Sequence, residues 1–157
     1  MSAEGGCACG QVRYRLHDDP IVVHCCHCRW CQRESGAAFA LNALIETAQV
    51  EMLGDAAERI DTPSASGRGQ VVFRCPSCKV ALFSHYGGAG EKKAFIRVGT
   101  LDNPDACPPD VHIFTASKQP WVMIPEDAWS FAEFYTGKDI PAIYSERGAA
   151  RAQALRG

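Results

Sequence analysis

The sequence predicts a mainly β domain of short antiparallel strands, closed by one short C-terminal helix. Three observations predict it. Apolar residues alternate over short segments rather than recurring every third or fourth position. Turn-forming clusters separate those segments: Asp18-Asp19-Pro20, Thr62-Pro63-Ser64, Gly87-Gly88-Ala89-Gly90, Asp102-Asn103-Pro104 and Pro108-Pro109. The strand–helix–strand rhythm of a parallel sheet is missing.

The elements follow in order. Val12, Tyr14 and Leu16 alternate across 11–16. Residues 21–25 are β-branched and run straight into a cysteine cluster, with a short helical turn expected after Cys28. Residues 39–45, 49–53, 70–74, 80–86, 95–101 and 111–115 have similar strand character. Residues 63–69 read as a mobile loop and 87–90 as a hairpin turn. The one convincing helix is 145–156, with Ser145 as N-cap and an Ala/Arg/Gln/Leu-rich body. Trp30 is expected to pack, and Trp121, Trp129, Phe131 and Phe134 to pack the C-terminal segment onto the sheet.

At 157 residues and 46% hydrophobic, the chain suits a single domain over 1–157, able to bury ~70% of its unfolded surface. The net charge is -2, with no Lys/Arg run, which argues against nonspecific nucleic-acid binding. The opening residues carry neither a basic start nor an apolar signal core. The longest apolar run near the front, 37–41, is far short of the ~18 residues of a membrane span. A cytoplasmic location without membrane contact is therefore expected.

Seven of the nine cysteines form three clusters: Cys7-x-Cys9, Cys26-x-Cys28-x-x-Cys31 and Cys75-x-x-Cys78. In a reducing compartment such clusters read as metal sites before disulfides. Cys7, Cys9, Cys75 and Cys78 supply four thiolates, which close a tetrahedral zinc shell. Cys75 and Cys78 could instead form a redox pair, but such a pair opens a helix, and here strands flank it. Cys26, Cys28 and Cys31 supply three thiolates for a second zinc. Its fourth position could take His24, His85 or His112, giving a closed site, or water or an incoming thiol. Zinc favours a bound thiolate over a thiol, which suits thiol–aldehyde chemistry.

Neighbouring residues of a strand point to opposite faces. Cys25 therefore reads as a small buried apolar residue rather than a ligand, and His27 as a local hydrogen-bonding or proton-handling group. His112 could be an acid/base, a ligand or a satisfied strand histidine. Arg29 and Arg33 could hold carboxylates of a bound thiol, or pair with Glu34 and the thiolates. Cys107 reads as an incidental loop thiol.

In these residues the chain resembles the glutathione-dependent formaldehyde-activating family, grouped with centromere-protein-V-like proteins. The resemblance rests on 5–14 (Gly-Gly-Cys-Ala-Cys-Gly-Gln-Val-Arg-Tyr), the central 26–37 segment and Phe73-Arg74-Cys75-Pro76-Ser77-Cys78. Gly99-Thr100-Leu101-Asp102, His112-Ile113-Phe114 and Pro120-Trp121 extend it, so that it covers 3–125, with 126–157 as an extension packing on that core. It implies the Mss4-like zinc fold, with Cys7, Cys9, Cys75 and Cys78 on a structural zinc and Cys26, Cys28 and Cys31 on the second. It also implies a carbon–sulfur lyase that joins glutathione and formaldehyde. His27 and His112 are then the candidate catalytic residues, and Arg29 and Arg33 the substrate-binding ones. One departure is Lys79, where the family has glycine and the turn wants a positive φ, at a cost of order 1 kcal/mol. The alternative reading is a non-catalytic zinc module for a protein or thiol-carrier partner.

Overall fold

The computed structural model describes residues 2–156; Met1 and Gly157 lie outside them. The expected mainly β class is what the chain adopts. The strands are β1 (Ala3–Gly6), β2 (Arg13–Leu16), β3 (Val22–Cys26), β4 (Ala40–Glu46), β5 (Val50–Met52), β6 (Glu58–Thr62), β7 (Gln70–Arg74), β8 (Ala81–Tyr86), β9 (Lys93–Arg97), β10 (Val111–Ile113) and β11 (Trp129–Ser130). The helices are α1 (Arg29–Ser35), α2 (Ile140–Ile143) and α3 (Glu146–Ala154). The chain divides into two units, one of residues up to Pro20 with Ala43–Cys107, the other of Ile21–Asn42 with residues from Pro108 on.

In the first unit β1, β2 and β5 form an antiparallel sheet, with Tyr14 opposite Gly5 and Met52. The alternation read from the sequence sets its faces. Val12, Tyr14 and Leu16 are buried, while Arg13 and Arg15 turn outward to Glu4, Glu51 and Asp102. Gly5 is required at its position, because a Cβ there would stand 2.5 Å from the Thr100 carbonyl oxygen. The strands β6 to β9 run as an antiparallel meander, with Phe73 and Phe83 stacked at 4.4 Å. Residues 87–90 form the expected turn between β8 and β9. β9 ends earlier than expected, since 98–100 turn into a 3-10 helix.

In the second unit β10 pairs with β3 and with β11, both in parallel. Parallel neighbours need long connections, and 84 residues separate Cys26 from Val111. All five residues of β3 are buried. The helix read at 145–156 spans Glu146–Ala154, and the Ser145 side chain accepts from the Gly148 N–H at 3.0 Å. The expected packing of the late aromatics holds only in part. Phe134 stacks on Tyr135 at 4.3 Å, yet Trp129 and Phe134 are each half exposed and Trp121 is 69% exposed. Trp30 is also exposed. Among the described residues no helix is long and apolar enough to cross a membrane.

Candidate metal centres and the adjoining cavity

The two outer cysteine pairs come together in the first unit. Each pair sits in a tight turn between strands, closed by Cys7 N–H to Val12 C=O and by Cys75 N–H to Val80 C=O, both at 3.0 Å. The residue after each second cysteine, Gly10 or Lys79, has a positive φ, 81° and 64°. The turn thus demands the left-handed conformation that Lys79 was expected to tolerate at a cost. The Ser77 hydroxyl, donating to the Gln11 side-chain carbonyl, ties one turn to the other.

The sulfurs of Cys7, Cys9, Cys75 and Cys78 all lie within 4.8 Å of one another. Cys9 Sγ stands 3.5 Å from Cys7 Sγ and 3.6 Å from Cys75 Sγ. Four sulfurs bound to one tetrahedral zinc at about 2.3 Å stand about 3.8 Å apart, so the spacing fits. Backbone amides already support negative sulfur: Val12 N–H points at Cys7 Sγ (3.3 Å) and Cys78 N–H at Cys75 Sγ (3.5 Å). The Val80 and Cys9 amides pull the Cys78 thiol down to about 6. Burial raises Cys7, but the Val12 amide and the neighbouring thiols outweigh it and leave it lowered. Cys9 ends near 11, because its neighbouring sulfurs outweigh the help of the Gln11 amide. A divalent cation relieves this crowding of negative charge.

The second group lies where β3 gives way to α1. Cys26 ends the strand, Cys28 is the N-cap and Cys31 sits in the first turn, with Cys31 N–H donating to Cys28 Sγ at 3.3 Å. The three sulfurs lie within 4.8 Å of one another, and among the described residues no histidine or carboxylate completes the group. Hydrogen bonds from the Cys26 and Cys31 thiols, joined by the Cys31 and Trp30 amides, hold Cys28 far below the usual thiol range. The Cys26 thiol, hydrogen-bonded to Cys28 and Cys31 and buried, is in turn pushed far up. This donor set also suits a thiophilic divalent ion.

Among the described residues none of the three histidines considered as fourth ligands joins the three-sulfur group. His24 Nε2 is hydrogen-bonded to Tyr135 Oη at 2.7 Å, and burial lowers it to about 4, so it is uncharged at neutral pH. His85 Nδ1 donates to the Lys93 carbonyl at 2.8 Å. His112, opposite Cys25 in the β3–β10 register, meets His27 Nε2 through its Nδ1 at 3.0 Å. Cys25 is buried as expected, and its sulfur lies 3.5 Å from the same His27 nitrogen. Cys25, His27 and His112 therefore form a third, separate group. Burial lowers both histidines, and His27 Nδ1 is buried with no hydrogen-bond partner.

Arg29 and Arg33 are both exposed on α1 and line one wide-mouthed, solvent-open cavity of about 760 Å³. Sequence reasoning missed three residues that build it: Gln32, Gln119 and the exposed Trp121. Only Gln32 carried a signal, three positions after Arg29 on the same helical face.

The family description that matches this sequence is GFA, glutathione-dependent formaldehyde-activating enzyme, over residues 2–117. Among solved structures, the crystal structure of a Rhodobacter sphaeroides protein is similar at 15% identity and a TM-score of 0.46. It covers 63% of this chain and 87% of that one. No curated protein matches the sequence significantly.

Proposed function

Because this chain belongs to the glutathione-dependent formaldehyde-activating enzyme family, we propose that it is a zinc-dependent carbon–sulfur lyase, reversibly forming S-hydroxymethylglutathione from glutathione and formaldehyde. The observation that carries this reading is the unequal sulfur supply, four in one group and three in the other. In the forward direction a C–S bond forms and the carbonyl π bond breaks. The thiol proton ends on the new hydroxyl oxygen. Held by Cys26, Cys28 and Cys31, a zinc ion would supply a Lewis acid that keeps the substrate thiol deprotonated at neutral pH. The four-sulfur group is assigned a structural zinc. Held there, it would tie residues 7–9 to residues 75–78 and would contribute folding free energy.

The protein's own groups do the rest. Arg29 and Arg33 bind the carboxylates of the thiol from the same helix that carries Cys31. His27 and His112, joined at 3.0 Å, are proposed to move the hydroxyl proton as a pair. Burial lowers both, so both imidazoles are neutral at pH 7 and each has a ring nitrogen able to accept a proton in passing. A non-catalytic zinc module would favour a histidine closing the second site. Among the described residues none of His24, His85 and His112 stands with Cys26, Cys28 and Cys31, and this supports the lyase reading instead.

The test is to mix zinc-loaded protein with glutathione and formaldehyde and follow adduct formation by exchange NMR. Acceleration above the spontaneous rate is expected, and its loss in Cys28→Ser. An unaccelerated rate with zinc confirmed at both sites would end the proposal.

A further inference from the structure

The cavity beside α1 has a wall built by hydrogen bonds that no metal group needs. Gln32 is buried, and its side-chain amide is used on both sides. Its Nε2 donates to the carbonyls of His27 (2.8 Å) and Ser117 (3.0 Å). Its Oε1 accepts from Arg29 NH1 (3.0 Å) and Gln119 Nε2 (3.2 Å). With its nitrogen turned to Gln32, Gln119 presents Oε1 to the indole N–H of Trp121 at 2.7 Å. One buried amide thus fixes a guanidinium and, through a second amide, an indole.

What this network holds in place is unusual for a free surface. Trp121 keeps 69% of its area exposed while its N–H is tied down, so a flat apolar face is presented with little freedom to collapse. Arg29 spends one N–H on Gln32 and keeps the others of its donor fork. Arg33, one helical turn on, lines the same space, and no carboxylate lines it. Neither guanidinium is ion-paired within the described residues. The small residues 36–38, starting at the αL cap Gly36, complete the lining and leave room for a ligand. Two cations, a fixed planar face and a small-residue floor match an anionic peptide, with its carboxylates on the guanidiniums and an amide or side-chain plane over the indole.

We propose that Arg29, Arg33 and Trp121 form the recognition site for the peptide body of an anionic peptide thiol, with Gln32 and Gln119 as positioning residues. The site selects such thiols over small neutral ones. This inference rests on the reading of the three-sulfur group as the thiol site, because Gln32 lies one turn after Cys28 and bonds to its carbonyl at 3.0 Å. It assigns selectivity to residues outside the metal groups.

The experiment uses a ligand that cannot react. S-methylglutathione keeps the peptide and both carboxylates but has no thiol. Its binding to the zinc-loaded full chain is measured by titration calorimetry, alongside its dimethyl ester. The native chain is expected to prefer the free acid by about tenfold or more. Trp121→Ala should weaken binding about three- to tenfold, and Arg33→Gln about tenfold. Both changes are at exposed positions, and zinc content confirms the fold. Gln119→Leu should weaken the free acid less than Trp121→Ala does, with Gln119→Asn restoring part of the loss. Equal affinity for acid and ester, unchanged affinity in Trp121→Ala, or no binding to the native chain would overturn the inference. Adduct formation without Trp121-dependent binding would leave the lyase standing and remove this site. Trp121-dependent binding without adduct formation would do the reverse.

Discussion

Replacing Tyr14 by phenylalanine tests the packing that anchors the first unit. Tyr14 is fully buried, and its hydroxyl lies 2.7 Å from Thr100 Oγ1. Thr100 already donates its own proton to the Arg97 carbonyl at 2.7 Å, so the tyrosine must be the donor. The phenylalanine variant leaves the Thr100 oxygen without that donor, at a cost of about 1–2 kcal/mol at pH 7. The pH dependence adds a second signature. Burial raises Tyr14 from the model-peptide value of 10.0 to about 12. A neutral phenol favoured by folding contributes stability that is complete below pH 10 and is lost as pH rises towards 12. With about 1.4 kcal/mol per pH unit, roughly that amount is gone by pH 11 and twice as much by pH 12. The advantage of wild type over the variant should therefore shrink from about 1–2 kcal/mol at pH 7 to near zero at pH 11. Urea unfolding at pH 7, 9, 10 and 11 measures this difference, and subtraction removes the other tyrosines and cysteines. A constant difference across that range would refute the reasoning, as would a variant as stable as wild type at pH 7.

Three further outcomes are expected. Gly5→Ala places a methyl 2.5 Å from the Thr100 carbonyl and against the Tyr14 hydroxyl. Backbone must move, so thermal unfolding should show a loss of about 1–3 kcal/mol or more; a neutral variant would contradict the packing described. Ser145→Ala removes the cap on Gly148 N–H and should cost about 1 kcal/mol in urea unfolding; Ser145→Asp should retain most of it. Cys28→Ser, which removes the most acidic sulfur of the three-sulfur group, should halve the zinc content by atomic absorption while the first unit keeps its melting transition. Loss of both zincs together would show that the two groups are not independent.

The strands legible in the sequence were those whose alternation reports burial. The pattern locates Gln70–Arg74 to the residue, and the strands at 11–16 and 80–86 to within one or two residues. The missed strands lack that pattern. Ala3–Gly6 is held by pairing with β2 and by the close approach that only glycine permits at position 5. Glu58–Thr62 is largely exposed at the end of its meander, with little apolar face to show. Residues 98–101 mimic a strand because Val98 and Leu101 are buried, yet a 3-10 turn places them there. Both cysteine groups are legible because the spacing within each cluster is local. The Cys25–His27–His112 group is not, since it depends on the parallel register that sets Cys25 opposite His112. Trp121 was read as a packing residue because composition cannot distinguish a buried indole from one held at the rim of a cavity by Gln119.

In the proposed enzyme the protein supplies four sulfurs to one zinc and three to the other, and a substrate thiol completes the second. Zinc X-ray absorption on the fully loaded chain, with and without glutathione, tests this most directly. Glutathione is expected to raise the mean sulfur count per zinc by about half a sulfur, replacing a light scatterer. A sulfur count unmoved by glutathione, with an imidazole signal present throughout, would contradict it.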